Sequence, residues 1–223
     1  NIGSTATASV VGIGVGSSGN IQNIMNNKIR NLRNMNDTSL HCIVGMYTTS
    51  GLNIVRGNLI SGLVSRTRNI NTNQAAVGVL GMIMQSNLGN SEYSNDTIFD
   101  LQYYNATPLA VQMIGMLVNT GSGIRITNNL IYSLNSMSNS TGTTSSSAII
   151  GLSYSGNGSL ININKNTIHS LNHNNTSTAN AVNVIGLYYL AVTTISPCVV
   201  SQNLIHSLKV SGCLLYTSDA ADE

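Results

Sequence analysis

Charge is scarce in this chain. Only 7% of its 223 residues are Asp, Glu, Lys or Arg, against roughly 25% in an ordinary soluble domain. The nine basic residues are scattered. No Lys/Arg run exists to follow a phosphate backbone, so nucleic acid is not an expected partner. Trp is absent, Phe occurs once and Pro twice. The mixture of Ala, Glu, Lys and Leu that long helices want is missing. No stretch of eighteen apolar residues occurs, so no part of the chain reads as a membrane-spanning helix. The cysteines are Cys42, Cys198 and Cys213, an odd and widely spaced set. That argues against a disulfide framework and against a zinc site, and no metal or other cofactor is expected. The chain opens in mid-pattern at Asn1-Ile2-Gly3-Ser4 and shows no leader-like segment.

What is present fits β-structure. Hydrophobic residues make up 42% of the chain, enough for a core. Asn, Ser and Thr, with 21 Gly, supply a polar, uncharged, turn-rich surface.

An internal repeat organises these residues. A short apolar segment centred on glycine recurs at Gly12, Gly45, Gly81, Gly115, Gly151 and Gly186, with spacings of 33, 36, 34, 36 and 35 residues. An apolar-x-x-Asn-x-Ile-x-x-Leu element follows each copy. Its Asn position holds Asn27, Asn58, Asp96, Asn129, Asn166 and Asn203. Its Ile position holds Ile29, Ile60, Ile98, Ile131, Ile168 and Ile205. From each Leu to the next Gly the length varies from 13 to 18 residues, in polar stretches that read as loops on one face of a solenoid.

The period-two alternation of Ile124-Arg125-Ile126 and Leu160-Ile161-Asn162-Ile163 predicts half-buried strands. The Gly-centred segment is apolar at nearly every position, which suits a strand covered on both faces or one in a parallel stack. Each repeat then forms one coil of two or three strands and a loop. Equivalent residues stack as ladders about 4.8 Å apart. The expected fold is all-β, a solenoid of about six coils of roughly 35 residues. A leucine-rich repeat matches locally at Ile126, Asn129, Ile131 and Leu134, but its period of 20–29 residues does not.

With its asparagine ladder, aliphatic ladders and uneven loops, residues 1–212 resemble the right-handed parallel β-helix of the pectate-lyase-like superfamily. Their cadence is most similar to bacterial secreted or cell-surface β-helix repeat proteins. The resemblance implies a structural or adhesive segment of a large extracellular protein, truncated at both ends. An extracellular glycan or surface ligand would be its partner, together with further coils of its own chain. The alternative is a fragment of a carbohydrate-active enzyme, a polysaccharide lyase or glycoside hydrolase, whose acidic site lies mostly outside this slice. Residues 213–223, Cys-Leu-Leu-Tyr-Thr-Ser-Asp-Ala-Ala-Asp-Glu, resemble a translated sequencing adaptor and are expected to be a non-native tail. Setting them aside leaves nine basic and four acidic residues, a net charge of +5.

Catalysis on that fold uses clustered carboxylates, with Ca²⁺ or as general acid and base. The candidates here are Glu92, Asp96 and Asp100, which sit together in the third repeat. The competing reading is that Asp96 fills an Asn slot while the other two are solvated. No carboxylate occupies the equivalent positions of the neighbouring coils, Asn58 and Asn129. Arg30, Phe99, Tyr132, His169 and His206 share one repeat position, which predicts a stacked planar ladder rather than a metal site. Tyr103 and Tyr104 are candidates to face a sugar ring. Cys42 and Cys198 are expected to be free thiols, too many coils apart to pair.

Overall fold

The computed structural model describes residues 8–16, 19–68, 77–86, 88–105, 110–119, 121–174, 182–191 and 197–211. The adaptor-like tail and Cys213 lie outside the described residues. Three parallel sheets wrap the chain into a solenoid of about five turns, with about 36 residues per turn. The glycine sheet contains Ala8–Val15, Cys42–Thr48, Val77–Gln85, Gln112–Asn119, Ile149–Gly156 and Val184–Ala191. A sheet of short strands contains Ile21–Met25, Leu52–Arg56, Glu92–Ser94, Arg125–Thr127, Asn162–Asn164 and Val199–Ser201. The isoleucine sheet contains Lys28–Arg30, Leu59–Ser65, Thr97–Tyr103, Leu130–Ser136, Thr167–His173 and Leu204–Val210. Six levels of strand therefore stack along one axis. Among the described residues the only helical element is a 3₁₀ turn, Thr144–Ser146.

The register is the one the repeat demands. Ile98 pairs with Ile60 on one side and Ile131 on the other. The ladder continues through Ile168 to Ile205. Its middle members are fully buried. Each such side chain contributes roughly 1.5–3 kcal/mol on leaving water.

One local feature explains the Ile-x-x-Leu spacing. In a regular strand, residues three apart face opposite sides. Ile98 and Leu101 are nevertheless both 0% exposed. Asp100 lies between them with φ 54°. That left-handed residue bends the strand and turns Leu101 back to the interior. The same kink recurs at Asn31, Gly62, Ser133, Ser170 and Ser207, with φ from 55° to 66°. A second left-handed residue precedes every ladder position: Asn26, Gly57, Asn95, Asn128, Lys165 and Gln202, with φ from 54° to 65°. It makes the corner between the short sheet and the isoleucine sheet. A non-glycine residue in this region costs roughly 1–2 kcal/mol, so every coil but the second, where both positions are glycine (Gly57 and Gly62), carries a strain that its ladder bonds must offset.

The glycine sheet is covered on both faces, as its composition predicts. Inward, Met46, Met82, Met116 and Leu152 join the main core. Outward, Val44, Leu80, Ile114 and Ile150 form a second cluster with Cys42, Val77 and Ile83. These four are at most 3% exposed.

Candidate functional site

The asparagine corner is where the third coil differs, so the site is built from there. Each asparagine rung donates twice to the rung after it. Asn27 gives its backbone N–H and its Nδ2 to Asn58 Oδ1, both at 3.0 Å. Asn129 does the same to Asn166, and Asn166 to Asn203. The amide also reaches back one coil: Asn58 Nδ2 donates to Ile24 O at 2.9 Å, and Asn129 Nδ2 to Tyr93 O at 3.0 Å. Every internal asparagine amide thus ties three coils together, which is more than a bond to its local backbone.

Asp96 occupies this slot with 0% exposure. Its Oδ1 accepts from Asn58 N at 2.7 Å and from Asn58 Nδ2 at 2.9 Å. Its N–H donates to Asn129 Oδ1 at 2.9 Å. Oδ2 stands where the other rungs carry Nδ2, and it has no partner among the described residues. By the repeat, that atom faces two acceptors, Val55 O and Asn129 Oδ1. A proton on Oδ2 supplies the missing donor. Burial pushes this carboxyl up to about 7, against the opposing pull of the Asn58 bonds.

The structure places the three candidate acids in three settings. Glu92 lies outward on the short sheet beside inward Tyr93. It accepts from Arg56 Nη2 at 2.5 Å and from Ser94 Oγ at 2.7 Å. Burial raises its pKa, but the bonds from Arg56 and Ser94 and the charges of Arg56 and Arg125 outweigh that and hold it below the usual range. Asp96 is at the corner. Asp100 is the kink residue of the isoleucine sheet, and its Oδ1 accepts from Gln102 Nε2 at 2.8 Å. The fourth acid, Asp37, meets Arg66 as a fork, Nε to Oδ1 and Nη2 to Oδ2, each at 2.6 Å. The Arg66 guanidinium lies 5.7 Å from the centre of the Tyr104 ring.

The paired tyrosines do not share a surface. Tyr103 is 1% exposed and donates its hydroxyl to Thr67 O at 3.2 Å. It is a core residue, because the Asp100 kink turns positions 101 and 103 inward. Only Tyr104 remains outside, beside Arg66.

The planar column forms over four rungs, from Phe99 to His206, while Arg30 stays apart from it because Ser61 holds the rung between them. Phe99 and Tyr132 stack at 4.9 Å, Tyr132 and His169 at 5.1 Å, and His169 and His206 at 4.9 Å, with ring planes within 12° of parallel. Each internal ring has a neighbour on both faces, so the column offers edges to the outside. A sugar ring, which stacks on an aromatic face, finds none free within it. His169 is shifted below the ordinary imidazole value, first by desolvation and then by the charge of His206. Both histidines bond Nδ1 to the following serine hydroxyl. No group of three metal-binding side chains occurs among the described residues. Cys42 is a buried thiol outside any disulfide, pushed up to about 12 by desolvation, and Cys198 is not in a disulfide either.

The left-handed kink has no signature in the sequence, since Asn, Gly, Asp and Ser all occupy it. The outward cluster on the glycine sheet is the second covered face that the apolar run suits. Fold and ladders together define a parallel β-solenoid with an asparagine corner ladder. No protein-family model, no curated protein and no solved structure matches the chain.

Proposed function

We propose that the chain is a structural or adhesive segment of a large bacterial protein, secreted or held at the cell surface. We assign it to the right-handed, pectate-lyase-like kind of parallel β-helix. The observation that carries the reading is the fate of the acids. All four carboxylates among the described residues are bonded to side chains of the protein itself, namely Arg66, Arg56, Asn58 and Gln102. Glycoside hydrolysis ordinarily uses two carboxylates free to face one bond; here Glu92, Asp96 and Asp100 share the third coil but stand on the short sheet, at the corner and at the kink of the isoleucine sheet, and Asp37 lies in another coil.

The last described coil supports further coils of the same repeat as partners. Val200, Ile205 and Leu208 are the rung equivalents of core residues, yet they are 47%, 40% and 39% exposed. A coil set beyond Asn203 would receive the two ladder bonds that each earlier asparagine gives to the next. The long, uncharged exterior would then present an extracellular glycan or surface ligand with a repetitive face.

Incubation with polygalacturonate and with alginate, followed by assay of new reducing ends, tests this reading. The expected result is no cleavage. Turnover lost in the triple variant Glu92→Gln, Asp96→Asn, Asp100→Asn would put a carbohydrate-active enzyme in its place, with its site in the third coil. Turnover that survives the triple variant would also overturn the reading, with the site elsewhere in the chain.

A further inference from the structure

The outward cluster of the glycine sheet contains a pocket. Its floor is Leu80 and Ile83 from one level and Ile114 and Leu117 from the next, paired rung to rung. Val77, Gln112 and Ser145 also line it, and its volume is about 160 Å³. The register explains why a space opens here. The outward column reads Tyr47, Ile83, Leu117, Ser153, Tyr188. At the fifth level a serine stands where the flanking levels carry Leu and Tyr, and Ser153 lines the pocket at that side.

One polar atom at this pocket is unsatisfied. Gln112 is 2% exposed. Its Nε2 donates to Ser145 O at 2.7 Å and to Ser147 O at 3.1 Å. Both partners are carbonyls, so the amide orientation is fixed: nitrogen toward the 3₁₀ turn, oxygen away from it. Gln112 Oε1 then has no partner among the described residues. A buried acceptor left in this state is costly, and a donor that reaches it is favoured. Among the described residues no charged side chain lines the pocket, so a charged ligand would find no counter-ion there.

We infer that this pocket binds a small, neutral, mostly apolar molecule carrying one hydrogen-bond donor, with Gln112 Oε1 as the acceptor. The size suits a single ring, since a dry cavity of roughly 150 Å³ takes up benzene. The site belongs to the outer face of the glycine sheet. It shares no residue with the asparagine corner or the acids.

Phenol is the probe. Titration of the full chain, followed by amide chemical shifts, is expected to give a dissociation constant of about 0.1–1 mM, within the range open to a seven-atom ligand. Toluene has the same shape without the donor and is expected to bind about five- to tenfold more weakly, the difference one neutral hydrogen bond makes. Benzoate is expected not to bind. Ser153→Leu continues the apolar column into the space and is expected to abolish phenol binding while strand dispersion in the spectrum persists. Gln112→Met is expected to bring phenol and toluene to equal affinity. Failure of phenol to bind at 10 mM (about ten times the weakest expected constant) would overturn the assignment. Binding unchanged by Ser153→Leu would do the same, and equal affinity of phenol and toluene for the unmodified chain would remove the role given to Gln112.

Discussion

Asp96→Asn is expected to stabilise the protein by about 4 kcal/mol at pH 8, and by far less at pH 4. The carboxyl of Asp96 is raised from 3.8 to about 7 in the fold. A folded-state pKa above the unfolded one means that the folded state holds its proton more tightly. Stability is therefore greatest below about pH 4. It falls as pH rises through the window from 4 to 7 and stays low above it. Asparagine does not titrate, so the variant loses this slope. It also restores the Nδ2 that the other rungs use to reach the next oxygen and the carbonyl one coil back. Urea denaturation of both proteins at pH 4 and pH 8 reads the effect directly. In a chain of this length, 4 kcal/mol corresponds to roughly 10 °C in Tm. Equal stability of the two proteins at pH 8 would mean that Asp96 is accommodated as a carboxylate, against the geometry of its Oδ2.

Gly115→Ala is expected to cost about 3 kcal/mol or more. A Cβ at this position would lie 2.5 Å from Gly151 O and 2.7 Å from Ile131 Cγ2. The first contact is with the backbone of the next level, which cannot retreat without breaking the parallel ladder. Gly115 does not have a positive φ, so the requirement is for space alone. Ile131→Ala would remove Cγ2 and leave the carbonyl in place. The double variant Gly115→Ala, Ile131→Ala is therefore expected to be less stable than Ile131→Ala alone by about the full cost of Gly115→Ala, as judged by denaturation midpoints. A double variant as stable as Ile131→Ala alone would show that the glycine column makes room for the isoleucine ladder and not for the neighbouring backbone.

These two positions mark what the sequence discloses. The repeat placed Gly115, Asn129 and Ile131 in register with their copies, because the coil length hardly varies and in-register stacking follows from it. It also singled out Asp96 as the rung that departs from asparagine. It did not disclose why glycine recurs, since the reason is a carbonyl some 36 residues on (Gly151 O for Gly115). Nor did it disclose the kink at Asp100, because Asn, Ser and Gly reach the left-handed region for different reasons and leave no common letter. Missing the kink is what misplaced Tyr103. Straight alternation allows it outside, and one left-handed residue turns it in. The acidic trio was close in sequence for the same reason that it is divided in space: a corner lies between Glu92 and Asp96, and a further stretch of strand separates Asp96 from Asp100.

Cysteine cross-linking tests the central claim, that equivalent residues of successive repeats stack in register. Phe99 pairs with Tyr132, and Tyr132 with His169. Adjacent rungs lie about 4.8 Å apart, within reach of a disulfide, whereas Phe99 and His169 are two rungs apart. In a background with Cys42, Cys198 and Cys213 changed to alanine, Phe99→Cys with Tyr132→Cys is expected to close a disulfide under mild oxidation. Tyr132→Cys with His169→Cys is expected to do the same, and Phe99→Cys with His169→Cys is expected to stay reduced. A bond in the third pair, with none in the first two, would contradict the stacked solenoid and every functional statement built on it.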